Sequence, residues 1–411
     1  MKIPTRIPAA IAVAALTSVS LAACAGGETS AGGTTTLTYY SWNNQATMQP
    51  IIDAFEEAHP DITIDMSSAN GGPAEYAQTL LARASGNQLP DIFHLSLETR
   101  NELIDGGVVR EITDEPFMEG IDPTATAMFA KDDKAYGMST GAWQGVLIYN
   151  RDLLSQVGYD AVPTDLDGFI ELGNTLSEAG ITPYLEDESA GSPSFMTMLG
   201  GWYAGTGTSD AEIFEDGESF STWIPAIEQW QKLVDSGVIP PETVGVSTDQ
   251  VKQSFLSGDV AMYRSGPWDF GDIEAAGVNF WTAPFPALDG GEPFIGGGPD
   301  SPFSLSAALE GDKLEAAQEF MAFINSAEGL ELAEEHLNQV STSANHDANV
   351  APEIEEIYQD YLKQGKYYWT NWPANGAVMG QEFAAQFQLL IQDQTTPEGL
   401  AAALDSKWAA R

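Results

Sequence analysis

Residues 37–66, LTYYSWNNQATMQPIIDAFEEAHPDITIDM, decide the fold class of this chain. The segment opens with a strand-forming run over 37–41 and closes with apolar residues that alternate over 62–66. Between them, apolar side chains recur at helical spacing over 48–55, and Pro60 is a stop signal for that helix. A strand, a helix and a second strand in this order predict a parallel pair with a helical crossover.

The same alternation continues along the chain and predicts an α/β protein with two domains. A helix is predicted near Tyr76–Ala84 and a third strand at Asp91–Phe93, and a second α/β stretch begins with the strand 145–150. A length of 411 residues exceeds what one hydrophobic core usually covers. The glycine run 296–299 is predicted to be a late crossover between the two domains, because glycine can absorb a hinge rotation. Further helices are predicted near 166–179, 224–236, 250–257, 314–324, 353–363 and 378–392.

The N-terminus has the pattern of an export signal. A short basic region and a mostly apolar run over 7–21 lead to Leu-Ala-Ala-Cys at 21–24, which resembles a bacterial lipobox. We therefore predict a signal peptide over 1–23, lipid attachment at Cys24 and a flexible tether over 24–36. An ordinary secretory cleavage near Ala23 is the alternative. Cys24 is the chain's only cysteine, so a disulfide within the chain is impossible.

Composition and motifs exclude several functions. A formal net charge of −44 argues against nucleic acid as a partner, because phosphate binding needs a basic patch. The four histidines have no metal-ligand spacing and no phosphate-binding loop motif occurs, so neither a metal nor a cofactor is expected. Residues 137–141 match the G-x-S-x-G nucleophile motif, which leaves a serine hydrolase using Ser139 as an alternative. The solvated segment before this motif and the predicted strand after it are not the context that motif requires.

Tryptophan, amide and carboxylate side chains follow several predicted strands or lie in glycine-bounded loops. In an open α/β sheet, ligands bind beyond the carboxyl ends of the strands. Aromatic faces can stack on the C–H face of a sugar, and amides or carboxylates can bond its hydroxyls. This pattern predicts a site for a neutral sugar. Its segments are Trp42-Asn43-Asn44, Glu98, Trp143, Gly201-Trp202-Tyr203, Trp268-Asp269 and Trp369 to Pro373.

These residues and several motifs resemble the sugar-binding class of extracellular solute-binding proteins, the maltose-binding-protein-like family that serves ABC importers. The segment 254–262, SFLSGDVAM, followed by Gly266-Pro267-Trp268, resembles the most recognisable part of that family. The resemblance extends from Leu37 to the end of the chain. Supporting matches are Ala58 to Ile62, Leu89 to Ile92, Lys134 to Met138, Gly145 to Leu154 and Pro163-Thr164.

The resemblance implies a two-lobed, type II periplasmic-binding-protein-like fold. Each lobe would be a mostly parallel sheet with flanking helices, and the hinge would be crossed three times. The first lobe is expected to comprise 37–142 and 298–339, and the second 143–297 and 340–411. Maltose binders tend to have a tryptophan where Leu95 and Ser96 stand here, and a lysine where this chain has amides in its first loop. Maltodextrin is therefore not the expected ligand.

The function implied is a lipid-anchored receptor that performs no chemistry. At the outer face of the cytoplasmic membrane, it would bind a neutral di- to tetrasaccharide between its lobes. It would deliver this sugar to the permease subunits of an ABC importer in the membrane. A monomer is expected. The alternative ligands on this fold are a polyamine, ferric ion or glycerol-phosphate. Besides Cys24, the expected site residues are Trp42, Asn43, Asn44, Glu98, Trp143, Phe195, Trp202, Trp268, Asp269, Trp369, Asn371 and Trp372.

Overall fold

A computed structural model describes residues 34–69, 72–300, 302–337, 339–370 and 372–410. The predicted signal peptide, Cys24 and most of the predicted tether lie outside these residues, as does Asn371. The strands are β1 (Thr35–Ser41), β2 (Ile62–Ser68), β3 (Ile92–His94), β4 (Ala130–Lys131), β5 (Lys134–Ala135), β6 (Gly141–Asn150), β7 (Thr182–Leu185), β8 (Val260–Ser265), β9 (Phe280–Ala283), β10 (Ile295–Asp300), β11 (Phe303–Leu305), β12 (Val340–Ser341) and β13 (Tyr367–Tyr368).

The first lobe is built on a four-stranded sheet in the order β11-β3-β1-β2. Strand β1 pairs in parallel with both β2 and β3, and β11 pairs antiparallel with β3. The helix between β1 and β2 buries Met48, Ile51, Ile52 and Phe55 against this sheet, as its spacing predicts. The opening β-α-β unit is therefore confirmed.

The second lobe is built around the long strand β6. Its first half pairs antiparallel with β10 and β12, and its second half pairs antiparallel with β8 and β9. The parallel pairs in this sheet are β7 with β8 and β10 with β13. The second sheet thus has more antiparallel pairing than expected, because β8, β9 and β10, which follow β6 within the second lobe, and β12, which returns from the first lobe, all run opposite to β6.

Between the two sheets the chain crosses three times: before β6, between β10 and β11, and between β11 and β12. Each sheet carries its own buried apolar core, and the chain has the two-lobed periplasmic-binding-protein-like fold. The exact lobe boundaries given above stay a prediction.

Helices cover both sheets. Among the described residues, no helix is both long enough and apolar enough to cross a bilayer. The α-helices are α1 (Gln45–Ala58), α2 (Gly72–Ser85), α3 (Arg100–Asp105), α4 (Pro123–Met128), α5 (Arg151–Gln156), α6 (Leu166–Glu178), α7 (Pro193–Thr206), α8 (Ala211–Phe214), α9 (Ile224–Asp235), α10 (Thr248–Leu256), α11 (Phe270–Ala276), α12 (Gly311–Ile324), α13 (Ala327–Leu337), α14 (Glu355–Ile357), α15 (Gly376–Ile391) and α16 (Pro397–Ala409). Shorter 3₁₀ turns occupy 116–118, 188–190, 220–223, 241–243 and 267–269, and a π turn spans 358–362.

The glycine run 296–299 lies within a buried strand rather than a loose linker. It forms most of β10 and pairs with Ala142 to Gly145 of β6. A Cβ added at Gly297 would lie 2.6 Å from the carbonyl oxygen of Trp143, so this glycine permits close strand packing. The position of the crossover agrees with the sequence analysis, but the glycine run itself is a paired strand.

Candidate functional site

Three predicted tryptophans converge around one arginine near the carboxyl end of strand β8 in the second sheet. Arg264 lies opposite Leu147 in the register of β8 and β6, so its side chain shares a sheet face with Trp143. The centre of its guanidinium lies 5.2 Å from the ring centre of Trp143, 5.8 Å from that of Trp268 and 5.7 Å from that of Trp369. Trp143 and Trp369 also meet edge to face at 5.5 Å. We call these four residues the arginine–indole cluster.

Two glycines make room for this cluster. A Cβ at Gly145 would lie 2.6 Å from Nη2 of Arg264 and 2.8 Å from Cζ3 of Trp143. A Cβ at Gly266 would lie 2.4 Å from the ring of Trp268. Both glycines are therefore needed because the arginine and the indoles pack directly onto the backbone. The indole of Trp268 is 40% exposed, so part of it remains open to a ligand.

The cluster carries a half-buried positive charge. The Nε of Arg264 is sealed from solvent and has no hydrogen-bond partner among the described residues. Burial lowers the pKa of its guanidinium, while nearby Tyr184, Glu186 and Asp269 act in the opposite direction. An N–H group left without a partner in a buried position costs free energy. A ligand cannot reach this sealed Nε, so any hydrogen bond from Arg264 to a ligand has to come from its Nη atoms.

Two buried glutamates lie behind the cluster. Glu186 accepts hydrogen bonds from the Tyr184 hydroxyl at 2.7 Å and from Ser194 through its N–H at 2.9 Å and its hydroxyl at 2.5 Å. Neither oxygen of Glu188 has a hydrogen-bond partner of ordinary geometry within the described residues, although Glu186 and Ser192 lie nearby. Burial raises the pKa of Glu188 well above its usual range and also raises the pKa of Glu186.

On the first lobe, Trp42 follows β1 and stacks on a buried histidine. Its ring lies 4.7 Å from that of His94 at an interplanar angle of 9°, and it meets Tyr76 edge to face at 5.4 Å. The side-chain nitrogen of Asn43 is buried without a partner among the described residues. Trp42 therefore packs on core residues at a strand end, and the roles of Trp42 and Asn43 as ligand contacts stay predictions.

The two lobes touch next to Glu98. The side-chain nitrogen of Asn101 donates to the carbonyl oxygen of Pro373, which precedes α15. A Cβ added at Gly376, the first residue of α15, would lie 3.1 Å from Cα of Glu98. Glu98 is half-buried at this contact, and its backbone packs closely against the start of α15.

Two of the predicted aromatic residues lie in the core. Phe195 is fully buried, with its ring 4.5 Å from that of Phe387. Trp372 is only 8% exposed and packs among aromatic residues that include Trp223 and Phe383. We therefore remove Phe195 and Trp372 from the proposed ligand contacts, because their ring faces are covered by protein. A sequence cannot distinguish a core tryptophan such as Trp372 from an exposed one such as Trp268, because both lie next to a proline in a predicted loop.

Three other predicted residues have structural partners. Asp269 is buried and accepts hydrogen bonds from the hydroxyls of Ser265 at 2.5 Å and Tyr263 at 3.0 Å, so its carboxylate does not need a ligand. Asn44 caps α1 by accepting a hydrogen bond from the N–H of Thr47 at 3.1 Å. Trp202 lies on α7 beside the loop at Gly291, and no contact joins it to the arginine–indole cluster among the described residues.

A separate cavity of about 640 Å³ lies on the other face of the crossover strands. It is lined by Ala142 of β6, whereas Trp143, the next residue, contacts Arg264 on the opposite face. Both lobes contribute to it, through 120–124 and through 341–348 and 358–367. None of the predicted site residues lines this cavity, so we place the candidate site at the arginine–indole cluster instead.

Ser139 does not have the surroundings of a nucleophile. It is fully buried, and its hydroxyl donates to the carbonyl oxygens of Asp300 at 2.6 Å and Gly141 at 3.1 Å. The chain then enters strand β6 rather than a helix. A nucleophile elbow instead exposes its serine between a strand and a helix. The geometry therefore argues against the hydrolase alternative.

Sequence reasoning missed Arg264. One signal was available: Arg264 is the charged residue of the otherwise apolar and small-residue strand VAMYRS, in a chain with only 16 lysines and arginines. Arginine is seldom buried without a partner for its charge, so an arginine in a buried strand two residues before Gly266 indicates a functional or structural role for that charge. Two of its three indole partners, Trp143 of β6 and Trp369 after β13, are distant in the sequence, so their convergence depends on the tertiary fold.

Two lobes joined by crossover strands, with a polar and aromatic site beside the junction, define a solute-binding receptor. The chain belongs to the bacterial extracellular solute-binding protein family, whose model matches residues 50–356. A family 1 extracellular solute-binding protein from Bifidobacterium longum subsp. infantis superposes with a TM-score of 0.80 at 38% sequence identity. That comparison covers 92% of this chain and 100% of the other.

Two curated relatives have named ligand classes. The galactooligosaccharide-binding protein of Bacillus subtilis (strain 168) is 23% identical over 75% of this chain and 74% of its own. A maltooligosaccharide ABC transporter solute-binding lipoprotein of Streptococcus pneumoniae serotype 4 is 23% identical over 78% of this chain and 74% of its own. The family expectation from the sequence is therefore confirmed.

Proposed function

We propose that the protein is a lipid-anchored extracellular receptor that binds a neutral oligosaccharide between its lobes and delivers it to an ABC importer. The observation that carries this proposal is the convergence of Trp143, Trp268 and Trp369 around Arg264. An exposed indole offers a flat apolar face for a sugar ring, and the arginine beside it offers hydrogen-bond donors for hydroxyls. The names of the two curated relatives support an oligosaccharide ligand.

The receptor works by a shift between open and closed states. A sugar that contacts both lobes stabilises the closed state, because only that state supplies contacts from both sides. On the first lobe, Trp42, Asn43 and Glu98 are the proposed contacts; on the second, Trp143, Trp268 and Trp369. The closed receptor then docks on the permease. Lipid attachment at Cys24 would hold it at the outer face of the membrane, with the tether allowing it to reach the permease.

Isothermal titration calorimetry with the processed chain tests the ligand class. The panel comprises galactooligosaccharides, maltooligosaccharides, raffinose, xylooligosaccharides and chitooligosaccharides, with a polyamine and a glycerol-phosphate as non-sugar probes. We expect one neutral oligosaccharide series to bind, and Trp268→Ala to weaken it by about 10-fold, which corresponds to ~1.4 kcal/mol.

The matched control is Val378→Ala, because Val378 and Trp268 are the two large exposed apolar side chains of the described structure. This variant should bind as the wild type does. Heat from no sugar with a folded protein, or from a non-sugar probe alone, would reject the sugar receptor. Equal affinity in Trp268→Ala and the wild type would place the ligand elsewhere.

A further inference from the structure

Arg264 differs from an ordinary structural arginine in how it is held. Structural arginines in proteins usually satisfy their guanidinium with carboxylates or carbonyl oxygens. Here the guanidinium lies among three indole rings, and its buried Nε has no hydrogen-bond partner among the described residues. Cation–π contacts stabilise the charge but use none of its N–H groups.

The backbone beneath Arg264 is shaped to hold it in this position. The guanidinium packs directly on the backbone at Gly145, since a Cβ added there would lie 2.6 Å from Nη2 and 3.0 Å from Nε. The plane of the guanidinium is therefore fixed between the strand and the indoles. Its donor groups are oriented before any ligand arrives, which reduces the entropy lost on binding.

Arg264 already has negative partners within the protein. Glu186 and Asp269 act on it through charge, and Asp269 is also paired with Lys252 at 3.3 Å. A ligand carboxylate would lose its hydration on reaching this desolvated place, and an ion pair formed there does not in general repay that cost. The hydroxyl oxygens of a neutral sugar can accept from the guanidinium without that cost, and two neighbouring hydroxyls suit its paired N–H groups.

We propose that Arg264 is a ligand-contacting, specificity-determining residue whose Nη N–H groups donate to two neighbouring hydroxyls of a neutral sugar ring stacked on Trp268. This inference rests on the proposed sugar-receptor function. It assigns to β8 a contact that ranks the members of the sugar panel. Sugars with a free vicinal hydroxyl pair on the stacked ring bind, and those with either hydroxyl removed, or with the primary alcohol of that ring oxidised to a carboxylate, bind less well.

The experiment compares Arg264→Lys, Arg264→Met and the wild type by calorimetry with the best neutral sugar of the panel. A hydrogen bond to a charged donor contributes enough that Arg264→Met should weaken binding by about 10- to 100-fold, and Arg264→Lys by less. Added methylguanidinium should restore part of the affinity of Arg264→Gly, because it refills the vacated space between the indoles. The control is Arg83→Met, since Arg83 also lies over an aromatic ring, that of Tyr40, at 4.0 Å.

Salt and ligand charge give a second readout that a merely structural role would not produce. Wild-type affinity for the neutral sugar should be nearly independent of salt, and the matching uronic-acid oligosaccharide should bind more weakly. Wild-type sugar binding that persists unchanged in folded Arg264→Met would overturn the role of Arg264 while leaving the sugar receptor intact. Tighter binding of the acidic sugar would overturn the neutral selection. Failure of the wild type to bind any sugar would remove the proposed function and this inference together.

Discussion

At the scale of single residues, the second lobe contains an ionisable pair that its fold keeps out of water. Glu186 has partners for its carboxylate, whereas Glu188 has none of ordinary geometry in the described part of the chain. Burial is the largest cause of the raised pKa of both groups, and for Glu188 the neighbouring Glu186 charge adds to it. The folded state therefore holds protons on this pair more tightly than the unfolded chain does.

This proton uptake predicts that stability falls as pH rises. In the unfolded chain, a glutamate ionises near its ordinary pKa of 4.5, whereas Glu188 in the folded state stays protonated to higher pH. The free energy of unfolding therefore falls as pH rises above 4.5, and it continues to fall until the folded-state pKa is passed. Glu188→Gln should therefore raise the free energy of unfolding at pH 8 by about 1–3 kcal/mol and flatten its pH dependence. Urea unfolding between pH 5 and pH 8 measures this.

The control for that series is Glu178→Gln on the exposed surface of α6, which should follow the wild-type curve. If Glu188→Gln lowers stability at pH 8, its carboxylate has a stabilising partner, and our account of the buried pair is wrong.

At the scale of elements, the sequence predicts most of what is local. The strand 37–41, the helix 48–55 and the strand 62–66 form where their periodicity places them, since each buries one apolar face. The sequence predicts the crossover at Gly296–Pro299 but not its pairing within β10, because that pairing depends on Trp143 and Tyr367, which are distant in the sequence. The same limit applies to Phe195 and Trp372, whose burial is decided by helices that pack over them.

Helix α7 illustrates how tertiary packing overrides helix propensity. It contains Gly200, Gly201 and Gly205, although glycine is a poor helix former. An added Cβ would lie 2.1 Å from Cβ of Tyr368 at Gly200, 2.0 Å from the carbonyl oxygen of Glu292 at Gly201 and 2.0 Å from that of Gly290 at Gly205. These glycines let the helix lie directly on β13 and on the loop before β10.

We expect Gly201→Ala to destabilise the protein by about 2 kcal/mol or more, even though alanine favours helix, because backbone must move to admit the methyl group. Gly380→Ala in α15 is the matched control, since nothing lies within 4 Å of its added Cβ; this variant should gain about 0.5–1 kcal/mol. Thermal and urea unfolding of both variants provide the comparison. Equal stability of Gly201→Ala and the wild type would mean that α7 is not tightly seated.

At the scale of the whole molecule, one contact between the lobes joins the segment after β3 to the start of α15. Asn101 of α3 donates to the carbonyl oxygen of Pro373, and the backbone at Glu98 approaches Gly376 at the start of α15. Three crossover strands connect the lobes, so rotation about them changes this contact without unfolding either core. The balance between open and closed states therefore depends partly on residues that need not touch a ligand.

A larger side chain at Gly376 should hold the lobes apart. A Cβ added at Gly376 would lie 3.1 Å from Cα of Glu98, so the larger side chain of Gly376→Leu should act as a wedge between the lobes. The control is Val378→Leu, which lies on the exposed surface of the same helix. If the wedge reduces the closed population 10-fold, the apparent dissociation constant rises about 10-fold, because affinity scales with the binding-competent fraction. Small-angle X-ray scattering should show a larger radius of gyration for the wedge variant than for the control, with and without sugar. A wedge variant that closes and binds as the control does would show that the contact between Glu98 and Gly376 has no part in closure, and that the lobes meet elsewhere when a ligand is bound.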